Sequence, residues 1–197
     1  MPETFRVVVG SADWEKAIRG FTDRLDLDFW DRFTPVTPSE IDHIERELNR
    51  ILPFDFRSFL LTFGVGDFPI KFGGGFFTPS EIIEGCAGPI LMLLGSAAWA
   101  ASEEQRRYYI TRGRDNPNLT KFTPSITRYA GGDLFDFVQV GYDGMSCYYQ
   151  LICPNRAEND SGFCRITPEG TIEDRTSSFS EALWLMLERF HVLLAES

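Results

Sequence analysis

The sequence is poor in the residues from which catalytic and metal sites are usually built. It has two histidines, His43 and His191, and neither lies near a cysteine along the chain. Four cysteines, Cys86, Cys147, Cys153 and Cys164, are scattered without a Cys-x-x-Cys pair. A structural zinc site draws on close ligand pairs, so this spacing points to no metal and to buried, reduced thiols. Neither Gly-x-Ser-x-Gly nor His-Glu-x-x-His is present, which removes a nucleophile elbow and a zinc-protease helix from consideration. The glycine run at residues 73–75 is not followed by the lysine and hydroxyl residue of a phosphate loop, and it lacks dinucleotide spacing. Tight turns between short strands are its expected use. No cofactor is expected.

Long apolar runs are also missing. The longest, residues 89–101, is interrupted by Gly95 and Ser96 and falls short of the roughly 20 residues that cross a bilayer. The opening MPETFRVVVGSADWEKAI has no basic start leading into an apolar stretch, so no secretory signal is expected and a cytoplasmic protein is the reading. Positive charge is scarce: 19 Lys and Arg stand against 29 Asp and Glu, a net charge of −10. Such a balance repels phosphate backbones and anionic membranes, and it suits either simple solubility or a basic partner.

What the sequence does have is apolar bulk. An apolar fraction of 43%, with 18 phenylalanines, predicts a packed core, and a chain of this length is read as one domain over residues 1–197. The pentapeptide TPSEI occurs twice, at Thr37 and at Thr78, but the flanks share no pattern, so no repeat follows. Both copies read as helix starts: a threonine N-cap, proline where the missing N–H costs nothing, and Glu40 or Glu81 closing a capping box. A third box is expected at Ser178 with Glu181.

Between these marks, Ser11 is expected to cap a short helix with Trp14, Ala17, Ile18 and Phe21 on one side. The Thr37 helix carries Ile41, Ile44, Leu48 and Ile51 as one stripe, with Pro53 ending it and opening the next helix. That helix turns Phe56, Phe59, Leu60 and Phe63 inward and stops at Gly64. Residues 89–94 read as a buried strand and residues 96–112 as a helix. Period-two alternation then predicts a hairpin of LFDFVQV and SCYYQLI, with Asp143 and Gly144 in a type I′ turn, and a second hairpin from FCRI onward. A final amphipathic helix places Phe179, Ala182, Leu183, Met186, Leu187, Phe190 and Leu194 on one face. The fold class is α+β: a mostly antiparallel or mixed sheet packed against amphipathic N-terminal and C-terminal helices.

One acidic stretch, DRLDLDFWDRF, sets Asp23, Asp26, Asp28 and Asp31 around Trp30. It lacks the glycine of a calcium loop, and Arg24 and Arg32 interrupt it, so a solvated edge is the reading from residue types alone.

The ordered segments resemble the SUKH superfamily of Smi/Knr-like domains. The stretch FTPVTPSEIDHIERELNRILPFDFRSFLLTFGVGDF carries the likeness, with Leu52, Pro53, Phe56, Phe59, Leu60 and Gly64 at the matching positions. FFTPSEI, GGDLFDFVQVGYDGMSCYYQLI and SSFSEALWLML continue it, so the resemblance covers about residues 28–188. Two departures stand out: Phe63 replaces the asparagine common before the helix-ending glycine, and residues 96–118 are longer than the usual connection. The resemblance implies a binding domain without catalytic residues, in many bacterial members an immunity protein that neutralises a toxin, often a nuclease. Together with the net charge of −10, the resemblance leads us to expect a basic toxin domain as the protein partner. From residue type, Asp23, Asp26, Asp28, Asp31 and Asp133 are the expected contact residues, with Trp30 as an aromatic anchor. A regulatory scaffold with an intracellular partner is the alternative. A cysteine- or carboxylate-dependent hydrolase would require Cys147, Cys153 or Cys164 bonded to His43 or His191 in a cleft.

Overall fold

The computed structural model describes residues 8–25, 28–69, 74–85, 137–144, 147–152, 162–167 and 172–195. Expectations for residues 89–94 and 96–112, and for Cys86, Cys153, Asp26 and Asp133, lie outside them. The described residues form five α-helices and a seven-stranded antiparallel sheet, an α+β domain. In chain order these are α1 (Ala12–Thr22), β1 (Phe33–Thr34), α2 (Pro38–Leu48), α3 (Phe54–Thr62), β2 (Val65–Asp67), β3 (Gly75–Phe76) and α4 (Pro79–Gly85). Then come β4 (Phe137–Tyr142), β5 (Tyr148–Ile152), β6 (Gly162–Ile166), β7 (Ile172–Thr176) and α5 (Phe179–Ala195). The strands lie in the sheet in sequence order, each antiparallel to the next. Helices α2 and α3 are thus inserted between two strands that pair directly, Phe33 opposite Gly66 and Thr34 opposite Val65.

Local chemistry sets the helix starts. Ser11 Oγ accepts the Trp14 N–H at 3.1 Å. Thr37 Oγ1 accepts the Glu40 N–H at 3.3 Å while Glu40 returns its carboxylate to the Thr37 N–H at 2.8 Å. Thr78 and Glu81 repeat this arrangement at 3.4 and 2.8 Å. Each box satisfies two N–H groups that the first helical turn leaves without partners. The third box forms with a shift of one residue. Ser178 Oγ accepts the Glu181 N–H at 3.2 Å, but the Glu181 carboxylate reaches the N–H of Ser177 at 3.0 Å.

Two boundary expectations are corrected. Ile51 is 64% exposed and leaves the stripe of Ile41, Ile44 and Leu48. The cause is Asn49, which takes the left-handed conformation (φ 51°) and ends α2 before Pro53 is reached. The β4–β5 connection is not a two-residue type I′ turn. Asp143 donates its N–H to the Cys147 carbonyl at 3.0 Å, and Tyr142 pairs with Tyr148, so the loop spans five residues. Of Asp143 and Gly144, only Gly144 has a positive φ, 73°, whereas a type I′ turn requires one at both.

The core is aromatic. Phe59, fully buried, lies 5.1 Å from both Phe76 and Phe179 and 5.5 Å from Phe63, measured between ring centroids. Phe63 is the residue that departs from the SUKH pattern, and its ring packs against Trp14 and Trp30. Gly64 (φ +94°) follows it because a Cβ there would strike the Thr34 carbonyl oxygen of β1. The first and last helices meet through Phe21 and Trp184, 4.7 Å apart.

Candidate functional site

The acidic stretch leaves α1 by a 3-10 turn at Asp23–Leu25 and re-enters the sheet at Phe33. Asp23, Asp28 and Asp31 are exposed, and none has an ion-pair partner among the described residues. Asp28 and Asp31 close one turn, in which the Asp31 N–H donates to the Asp28 carbonyl at 3.3 Å. Trp30 faces the other way. Half-buried, it packs 4.3 Å from Phe63 and 5.1 Å from Phe33, and its Nε1–H donates to Thr22 Oγ1 at 2.9 Å. Its ring is therefore engaged with the chain's own core, and its indole N–H ties the turn bearing Asp28 and Asp31 to the end of α1, beside Asp23.

Other acidic residues are neutralised internally. Glu45 accepts from Arg57 and from the Leu52 N–H, and Glu15 pairs with Arg19. The densest such network borders a cleft between α5 and strands β5–β7. Arg165 of β6 holds Asp143 at 2.8 Å, Glu173 at 2.7 Å and Asp174 at 3.0 Å. Asp174 in turn accepts two bonds from Arg189 of α5, at 2.7 and 2.9 Å. A bulge makes this possible: β6 and β7 pair Phe163 with Thr176 but Arg165 with Glu173, and Asp174 adopts φ 52°. Aspartate tolerates that conformation better than most residues, and the bulge re-aims its carboxylate. The Arg189 hydrogen bonds, outweighing burial, hold Asp174 below the usual carboxylate range.

Period two divides the neighbours. Phe163 and Arg165 share the cleft face of β6, while Cys164 between them points to the opposite face and is fully buried. Burial pushes the Cys164 thiol up to about 12. Burial, aided by Asp143, also raises the Cys147 thiol. Both are held as thiols, which are poor nucleophiles at neutral pH. His43 is exposed on α2 with its Nδ1 2.8 Å from an Arg46 nitrogen, and exposed His191 lies against Phe21. Among the described residues neither histidine is bonded to Cys147 or Cys164, and no group of three potential metal ligands occurs. No helix among them is long and apolar enough to cross a membrane.

The sequence reading missed the network of Asp143, Arg165, Asp174 and Arg189, because its members converge only through sheet register. The alternation of FCRI was the available signal, since it sets Arg165 on the same face as Phe163. No protein-family model matches the chain, and a search of curated proteins finds no match to it.

Proposed function

We propose that this chain is a non-catalytic, cytoplasmic protein-binding domain of the SUKH type, and that it neutralises a basic toxin domain by occupying its surface. One observation carries the reading. Asp23, Asp28 and Asp31 stay exposed and have no ion-pair partner among the described residues, while Glu45, Asp143 and Asp174 are matched by arginines. Unmatched carboxylates on a surface pinned by Trp30, in a chain of net charge −10, favour encounter with a positively charged partner. A nuclease, whose surface must attract phosphate, has that character.

The test is capture of partners from the source cells on tagged protein, at low and then moderate salt. One basic protein held stoichiometrically, and released as salt rises, is the expected result. Many unrelated proteins, or a single acidic one insensitive to salt, would move the reading to a regulatory scaffold.

A further inference from the structure

The cleft between α5 and β5–β7 has a volume of about 160 Å³. An apolar protein cavity of roughly 150 Å³ admits one benzene molecule, so the space here matches a single ring. Its walls are Phe163, Leu185, Met186 and Phe190. Its charged border is already matched, Arg165 by three carboxylates and Arg189 by Asp174, so a charged ligand would have to displace an existing ion pair. Two polar groups are left over: Arg165 Nε, which lies 3.0 Å from Asp174 without forming a hydrogen bond, and the Tyr149 hydroxyl. Tyr149 is only 4% exposed and lines the cleft, and no described residue takes a hydrogen bond from its hydroxyl. Tyr149 of β5 stands opposite Arg165 of β6 in the sheet register, and both line the cleft. An unpartnered hydroxyl that opens on a cleft is available to donate to whatever enters it.

We propose that this cleft is a binding site for a small neutral molecule, with one ring-sized apolar body and an oxygen acceptor for the Tyr149 hydroxyl. The apolar body lies between Met186 and Phe163, and the acceptor takes the Tyr149 O–H. Burial raises the Tyr149 pKa, so the hydroxyl remains a donor at every physiological pH. The site is separate from the acidic segment and does not depend on partner binding.

Benzyl alcohol and toluene are suitable probes, since they share a ring and differ in the acceptor. Met186 is one of four methionines, so its methyl resonance in ¹³C-methyl-labelled protein reports occupancy directly. Titration with benzyl alcohol should move it saturably. Tyr149→Phe, which keeps the ring, should weaken benzyl alcohol about three- to tenfold, the value of one hydrogen bond, and leave toluene within about twofold. Ala182→Phe should fill the cleft and abolish both shifts; a melting curve checks that it folds. The proposal is overturned if the Met186 methyl moves only linearly with probe concentration, as in a gap that holds only water. It is equally overturned if Tyr149→Phe binds the alcohol as tightly as the parent.

Discussion

Trp30 Nε1 donates a hydrogen bond to Thr22 Oγ1 at 2.9 Å, across eight residues of chain. The same Thr22 hydroxyl turns back to the carbonyls of Ile18 and Arg19 at 3.2 and 3.0 Å. One buried hydroxyl therefore fastens the end of α1 to the acidic turn, and it fixes how Asp23 stands relative to Asp28 and Asp31. The carboxylates are exposed, but the backbone that carries them is anchored in the core.

Thr22→Val keeps the shape of the side chain and removes the acceptor. The indole N–H loses its partner, and stability should fall by about 1–2 kcal/mol in urea unfolding at unchanged m-value. A change below about 0.3 kcal/mol would mean that water replaces the bond freely.

Phe59 sits at the centre of the aromatic core, fully buried among Phe33, Phe56, Phe63, Phe76 and Phe179. Phe59→Ala removes ring contacts to α5 and the sheet together and should cost about 3–5 kcal/mol. Phe54→Ala, on the same helix but 62% exposed, should cost well under about 1 kcal/mol. Thermal melts of the two variants check the contrast, and equal losses would place the core elsewhere.

Asp174 gives a pH-dependent contribution whose sign follows from its lowered pKa. A depressed carboxylate adds stability that is fully present above the ordinary aspartate value of about 4, and that is lost as pH falls through the folded value. Asp174→Asn keeps a residue tolerant of the left-handed conformation and removes the charge. Because Asp174 is 34% exposed, solvent screening limits its worth to less than about 1 kcal/mol at pH 7. The gap between parent and variant should hold from pH 7 to about 5 and close below about 4. A gap that widens on acidification would contradict the assignment.

The parts legible in the sequence are those governed by neighbours three or four residues apart. Both TPSEI capping boxes form, and Phe56, Phe59 and Leu60 of α3 are buried together with Phe63 at its end. The readings that fail do so at backbone conformations that composition does not announce. Asn49 ends α2 by turning left-handed, which carries Ile51 into solvent. Asp143 leaves the two-residue turn and spends its carboxylate on the Cys147 N–H at 2.9 Å and on Arg165. The cleft was illegible for a related reason. Arg165 lies 22 residues from Asp143, and Arg189 lies 15 from Asp174. Only strand register and a bulge in β7 bring these four together. The acidic segment was visible as composition, yet the role of Trp30 in fastening it depends on Thr22, a residue that no local pattern singles out.

Exposed aspartates with no ion-pair partner among the described residues are the surface proposed to meet a basic partner, and association kinetics test that most directly. With the captured partner immobilised, the parent and the triple variant Asp23→Lys, Asp28→Lys, Asp31→Lys are compared from low to moderate salt. The parent should associate faster as salt falls. The variant should associate at least about tenfold more slowly at low salt, with a flattened salt dependence and a smaller change in dissociation. Equal association rates for the two proteins across the salt series would contradict the claim and remove this segment from the interface.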